Sequence, residues 1–450
     1  MTEHIPKMVI PCNVSPGEGF TLFDPLPDGA GEGNLLTTER ARLDRMANCV
    51  ALLGWSLPAI ESMQKMDRPY VVVSFPDFED YARENGIPFV PWNYNEWNER
   101  SNALQLRELL QPFGADLAIP LFEETVEWAG ALNSLYRDDP RLLNRGYLFR
   151  NKAMMKRKAL LAGFRVGLFE EVRTVEQVHE FMERLNEAHL QLPGEGDAWV
   201  HLKPFSAAGT VGHKLLRSRD DIDERVVEAD FPCLVESHLP GQEFSSEAFI
   251  HEGKIRFLNV TEYVKLGHSN YVPAGPELQA VRGLIIEATE RLIRSFGIEY
   301  GMIHPEWFLT EDGTLSFGEV AYRIPGGHIF ELIERVYGFD PIQGMVLASD
   351  PATPASEVEA FFPDPADHDG YAGNVMVYPR AGRISKLDIP DELKEDPYFE
   401  SHTLIPPSEH KVSDQRGGFG NHYGTVFFRG PDAGRMRELV RHYQDVDFFQ

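Results

Sequence analysis

The chain has 450 residues, 42% apolar and 25% charged, with a formal net charge of −27; these proportions suit an ordinary globular protein of about two to four subdomains. So acidic a chain argues against a nucleic-acid backbone or an anionic membrane as partner, but not against a nucleotide, which needs only a local basic patch. Cys12, Cys49 and Cys233 show neither metal-ligand spacing nor a disulfide framework, no apolar run approaches transmembrane length, and Met1 to Lys7 lacks the apolar stretch of a signal peptide, so the expected location is a reducing cytoplasm.

Lys7 to Pro11 reads as a first strand, and Asn13 to Gly33, rich in Gly, Pro and Asp, as a loop. Gly29-Ala30-Gly31-Glu32-Gly33 has glycines like those of a dinucleotide loop, but no strand leads into it and no acidic partner follows as expected. Thr37 to Leu53 reads as a helix. Tyr70 to Ser74 and Asp116 to Pro120 are apolar, β-rich runs of the buried parallel type, with helices over Ser101–Leu110 and Glu123–Tyr136. Strands alternating with helices predict a small α/β domain over roughly the first 140 residues.

Asn151 to Lys156 opens a helix that Gly163 ends, and Glu176 to Ala188 forms another. After the Pro/Gly-rich turn at Leu192–Gly196, a strand over Ala198–Pro204 and another over Lys214–Leu216 flank Phe205-Ser206-Ala207-Ala208-Gly209-Thr210-Val211-Gly212. Small residues between strands expose backbone N–H groups, so Ser206, Gly209 and Thr210 can cradle an anion that Lys203 also reaches. A flexible hairpin turn fits the same residues. The strand over Pro232–Leu239 is apolar and ends in an acid, which suits an adenine slot. Backbone at Ser237–Leu239 then meets the purine edge and Glu243 the ribose; two ordinary strand-end acids are the alternative. Strands follow at Glu247–Ile250 and Ile255–Val260, then a polar loop at His268–Pro273 and a long helix over Leu278–Phe296.

Two further runs, Ile303–Leu309 and Thr314–Val320, bracket the turn Glu311-Asp312-Gly313 and predict a hairpin. It brings Glu306 and Glu319 onto neighbouring strands. Two carboxylates that close repel unless a cation lies between them, and oxygen ligands favour Mg²⁺. Arg323 adds a planar cation suited to carboxylate or phosphate. On this stretch alone, a metal site and a surface hairpin with solvated acids fit equally. Gly326-Gly327 precedes a helix over Ile329–Val336. From about Gly370 a separate β-rich tail is expected, with strands at Gly373–Tyr378, Ser385–Leu387 and Thr425–Phe428 and a helix over Asp432–Tyr443. Arg416, in the glycine-rich stretch Gln415–Gly420, reads as part of a solvated turn, with substrate contact as the alternative.

Together these residues resemble the ATP-grasp superfamily, and within it the carboxylate–amine ligases of the L-amino-acid (dipeptide) ligase type. The resemblance covers nearly the whole chain and rests on an ordered set of residues. It implies an α/β and α+β chain: an N-terminal α/β pre-grasp domain over 1–145, an ATP-grasp domain over 146–365 with a lid subdomain at about 150–240, and a small β-rich C-terminal subdomain over 366–450. Its phosphate lysines match Lys152 and Lys203, beside Ser206, Gly209 and Thr210. Its adenine-edge and ribose acids match Glu236 and Glu243, with Leu239 as the adenine backbone contact. Its metal acids match Glu306 and Glu319, and its catalytic substrate or phosphate arginine matches Arg323. His268, Gly326 and Gly327 fall on the substrate side. The run Glu319-Val320-Ala321-Tyr322-Arg323 has alanine where many members of the superfamily place a metal-binding Asn; dipeptide ligases resemble the alanine form.

The resemblance implies ATP and two Mg²⁺ ions, and allows Mn²⁺ in their place. It implies small carboxylate and amine substrates joined through an acylphosphate, with release of ADP and phosphate, and it allows a homodimer. An ATP-grasp kinase or cyclase that activates its substrate without an external amine is the alternative, and a nucleotide-binding protein without catalysis is a third reading. A biotin-dependent carboxylase fits less well, because no lysine stands in a biotin-carrier context.

Overall fold

The computed structural model describes residues 48–449 apart from 67, 97, 192–195, 207–211, 379–381, 385, 407–409 and 413–421. The expected strand at Lys7–Pro11, the loop at Asn13–Gly33, and Gly209, Thr210 and Arg416 lie outside these residues.

Five-residue apolar runs that are buried along their length belong in the middle of a parallel sheet, where both faces are covered. Strands β1 (Cys49–Leu53) and β2 (Tyr70–Ser74) are such runs, and β3 (Phe89–Pro91) and β4 (Ala115–Pro120) complete a parallel sheet in the order β3-β2-β1-β4. Val50, Leu52 and Val72 face one core, while Ala51, Leu53, Val71 and Val73 face another. This corrects the expected helix over Thr37–Leu53: its last five residues are a central strand. Cys-Val-Ala-Leu-Leu is apolar at every position, so it carries no period to separate the two states. Asn133, on the helix Val126–Arg137, exchanges hydrogen bonds of 2.9 and 2.8 Å with the backbone of Ala118 in β4.

A second, antiparallel sheet is built from β5 (Phe169–Val172), β6 (Val200–Lys203), β7 (Lys214–Leu216) and β8 (Cys233–Ser237), in the order β5-β8-β6-β7. Val178, Phe181, Met182 and Leu185, spaced along one side of the helix Val175–Glu187, pack on its apolar face.

The third sheet holds eight strands. β9 (Gln242–His251) and β10 (Lys254–Lys265) are longer than expected. β11 (Ser269–Val272) replaces the expected loop at His268–Pro273. β12 (Gly301–Leu309) and β13 (Leu315–Ala321) form the expected hairpin. Beyond them come β14 (Tyr371–Met376), β15 (Gly382–Ile384), β16 (Phe399–His402), β17 (His410–Val412) and β18 (Thr425–Gly430). The sheet order is β13-β12-β9-β10-β11-β14-β18-β16, antiparallel throughout, with β15 and β17 paired apart. Of the tail strands, β14, β18 and β16 therefore continue the main sheet, joined through β11, while β15 and β17 form a pair of their own. β11 escaped the sequence pattern because buried Ser269 and Asn270 break its apolar run.

Three smaller differences remain. The helix expected over Leu278–Phe296 is two, Pro276–Ala280 and Arg282–Phe296, because Val281 leaves helical geometry with φ −105° and ψ 13°. The strand expected at Ser385–Leu387 is displaced to β15, while Leu387 makes an isolated bridge with Phe449. The final helix expected over Asp432–Tyr443 spans Ala433–Tyr443, with Asp432 as its cap. Among the described residues no helix is long and apolar enough to cross a membrane.

Candidate active site

Where the second sheet, the β12–β13 hairpin and the segment after β4 face one another there is a cavity of about 560 Å³. Lys152, Lys203, Ser206, Glu236, Leu239, Glu243, Glu306, Glu319, Arg323, Gly326 and Gly327 all line it. Residues spread over 176 positions, from 152 to 327, thus converge on one space.

Local sequence explains how each arrives. Asn151 caps the helix Lys152–Leu161 by accepting from the Met154 N–H at 2.9 Å, which sets Lys152 at its first position. Lys152 Nζ bonds Glu319. One turn on, Lys156 is only 1% exposed; its Nζ donates to Glu236 and, at 2.7 Å, to the Gly318 carbonyl. Lys203, at the end of β6, reaches the other oxygen of Glu236 at 3.1 Å. Each Glu236 oxygen therefore has its own lysine. Burial opposes its charge, but Lys156 and Lys203 prevail and pull its pKa down to about 2. Any contact from this position to a ligand's edge falls to the backbone of Ser237–Leu239.

The hairpin carries a bulge. Pro305 pairs with Val320 and Trp307 with Phe317, so Gly318 and Glu319 together oppose Glu306. A Cβ on Gly318 would come within 3.0 Å of Phe308 and 3.1 Å of the Glu306 carbonyl, so a side chain there would crowd the bulge. The acids on either side differ in charge. Glu306 is pushed up to about 7 by burial and by its neighbours Glu319 and Glu243. Glu319 is pulled down to about 2 because Lys152 and Lys203 outweigh its burial. Glu243, on β9, is raised to about 7, chiefly by burial. A site with more carboxylate than its lysines neutralise is suited to a hard cation. Among the described residues no cluster of three or more His, Cys, Asp or Glu has the geometry of a metal cage. Two acids on an open wall are what Mg²⁺ uses when phosphates complete its shell.

Several site residues were not legible in advance. Arg323 Nε donates to Glu123 at 2.6 Å, and Arg150 Nη1 donates to the other oxygen of Glu123 at 3.0 Å and to the Ser206 carbonyl at 2.7 Å. Glu123 sits just past the carboxyl end of the parallel strand β4, a common place for ligand-binding groups; that position was its only sequence signal. Lys156 repeats Lys152 at the spacing that shares a helix face. His304 is held by Glu247 at 2.9 Å, while Glu247 also accepts from Ser245, Asn259 and Thr261 at 2.8, 2.6 and 2.7 Å.

On the expected substrate side, the Gly327 carbonyl accepts from Asn270 at 3.1 Å and Asn374 at 2.9 Å. Gly327 has φ +66°, and a Cβ there would lie 2.8 Å from Asn270, so glycine is required. Gly267 and Ser269 line the cavity but His268 does not; its ring meets that of Tyr378, a lining residue, at 5.1 Å.

No protein-family profile matches the chain. An L-arginine-specific L-amino acid ligase of Bacillus subtilis is 22% identical over 252 residues, 51% of this chain and 56% of that relative, so the similarity spans little more than half the relative's length. The fold is similar to that of an L-amino acid ligase from Bacillus licheniformis, with a TM-score of 0.66 and 17% identity over 88% of this chain and 97% of the other. It is also similar to an N5-carboxyaminoimidazole synthetase from Staphylococcus aureus complexed with ADP, with a TM-score of 0.62 and 16% identity over 88% and 97%.

Proposed function

We propose that this chain, an ATP-grasp protein by its fold, is an ATP-dependent carboxylate–amine ligase acting on small amino-acid-like substrates. The observation that carries the reading is the convergence of Lys152, Lys203, Glu306, Glu319 and Arg323 on one cavity. Phosphoryl transfer to a carboxylate crowds anions together, so its main demand is charge neutralisation in a fixed geometry. Lys152 and Lys203 stand ready to bind a polyphosphate by exchanging Glu319 and Glu236 for phosphate oxygens. Glu306 and Glu319 would hold Mg²⁺, which would supply further positive charge toward the phosphates. With alanine at 321, a second ion would draw on phosphate and water.

Arg323 orients the carboxylate whose oxygen attacks the terminal phosphorus. The P–O bond to the leaving ADP breaks, and an acylphosphate forms. The amine then attacks the acyl carbon, phosphate leaves, and the amide remains. Because Glu123 already pairs with Arg323, an incoming carboxylate competes with an internal one, which lowers its affinity. The second sheet (β5–β8) forms the roof that keeps water from the acylphosphate. We assign the pre-grasp, grasp and C-terminal portions to 1–145, 146–365 and 366–450, the last sharing its sheet with the second.

The test is incubation of the purified protein with ATP, Mg²⁺ and pools of amino acids and other small carboxylates, followed by nucleotide, phosphate and mass analysis. ADP, phosphate and a condensed mass that all depend on the same substrates support the ligase. AMP and pyrophosphate overturn the acylphosphate route. A phosphorylated or ring-closed product with no amine incorporated would make the chain a kinase or cyclase.

A further inference from the structure

Three histidines on the cavity wall lie outside the chemistry described so far. His201 is on β6, His213 just before β7, and His238 just after β8; all three line the cavity and are half-buried. His201 Nδ1 meets His213 Nε2 at 2.8 Å, and His201 Nε2 meets His238 Nδ1 at 3.0 Å. The ring planes differ by 23° and 13°, with centroids 5.0 and 5.3 Å apart. Rings joined through their nitrogens at this spacing lie edge to edge, as a ribbon, rather than face to face. Burial and the nearby Lys203 lower His201 to about 3 and His213 to about 4, and burial lowers His238, so near neutral pH the rings are uncharged.

A neutral imidazole has one N–H and one lone pair. Both nitrogens of His201 are used inside the ribbon, so it must donate to one neighbour and accept from the other. Two polarities follow. If His213 donates to His201, His201 donates to His238, and His238 Nε2 carries a hydrogen. If the direction is reversed, His213 Nδ1 carries the hydrogen and His238 Nε2 is a bare acceptor. Reversal takes one proton from water at His213 Nδ1, passes one across each hydrogen bond, and returns one to water from His238 Nε2. The number of protons is unchanged.

The two ends face different parts of the site. His213 precedes Lys214, which pairs with Leu202 on β6, and so lies beside Lys203, whereas the His238 N–H donates to the Trp199 carbonyl at 3.2 Å, before the other end of β6. His213 is thus at the end nearer Lys203, and His238 follows β8 beside Ser237 and Leu239. We propose that this ribbon is a nucleobase-reading wire: an anionic phosphate at the His213 end demands a donor there, which forces His238 to offer an acceptor and so selects an amino over a keto group on the base. This rests on the nucleotide reading above and extends it to base specificity. The ribbon stays neutral through the reversal, and breaking it at His201 uncouples its ends.

The test pairs a spectroscopic measurement with a binding one. In protein labelled with ¹⁵N-histidine, tripolyphosphate alone should move His201 and His238 to the Nδ1–H tautomer. By calorimetry, the wild-type protein should bind ATP more tightly than inosine triphosphate, which carries a keto group at the same position. The ratio should fall by about tenfold in His201→Leu, the value of one hydrogen bond. Tautomers that ignore tripolyphosphate, or an unchanged ratio in folded His201→Leu, would overturn the wire while leaving the nucleotide site intact. A wild-type protein that binds neither nucleotide would overturn the nucleotide reading and the wire together.

Discussion

Lys152 and Lys156 stand one turn apart on one helix, and each bonds a glutamate, yet their pairs are built differently. Lys156–Glu236 is sealed: the two side chains are 1% and 3% exposed, and each has a further partner in Gly318 and Lys203. Lys152–Glu319 is open: its members are 14% and 29% exposed and line the cavity. The sealed pair ties the helix to β8 and to the hairpin. The open pair holds charges that a ligand and a cation can claim. The same chemistry thus acts as a strut in one place and as a reserved site one turn away.

The contrast can be broken from either side. Glu236→Gln strands a buried lysine, and stability should drop by about 3–5 kcal/mol in urea unfolding. Glu319→Gln should instead cost less stability than Glu236→Gln, because its more exposed lysine can turn to solvent, while turnover falls roughly 100- to 1,000-fold; near-wild-type turnover would remove Glu319 from the metal site. Replacing both members of the sealed pair, Lys156→Met with Glu236→Met, should restore most of what the single change lost, to within about 1–2 kcal/mol of wild type, since no charge is left alone.

Acid sharpens the same comparison. Glu236 titrates near 2 in the folded chain against an ordinary 4.5, so between those values the unfolded chain holds more protons. The stability Glu236 contributes is complete above about pH 4.5 and disappears as pH falls toward 2. An acid titration of Glu236→Gln should show a shallower loss than wild type over that window. The smallest effect on activity is expected for Glu123→Gln, which weakens the internal competitor for Arg323: KM for the carboxylate substrate should fall by about two- to fivefold.

The hairpin was readable because its parts are local: a Glu-Asp-Gly turn between two β-like runs, with Glu306 and Glu319 at matching distances from it. Local sequence put Lys152 at the start of a helix, but its phosphate role came only from the family resemblance. Glu123 was not readable, since it acquires meaning only from Arg323, 200 residues away. Lys156 looked like any helix lysine; its burial depends on β8 and the hairpin closing over it. β11 was lost because Ser269 and Asn270 are polar for the sake of what they touch, Gln444 and Gly327. Cys49–Leu53 failed in the opposite way, being too uniformly apolar to carry a period. Local rules reached the acids and Lys203; pairings between distant segments decided the rest.

The order of strands in the large sheet also has a consequence for synthesis. β11 pairs with β14, and β14 with β18, which ends at Gly430. A ribosome adding about 5–20 residues per second must make about 160 more residues after β11 before β18 emerges. Until β14 arrives, the nascent chain carries β11 as an exposed edge with unpaired N–H and C=O groups, the kind of edge that invites pairing with another chain. A message truncated before residue 371 would leave that edge open permanently, and its product should accumulate as aggregates, whereas a stop after the final helix would not.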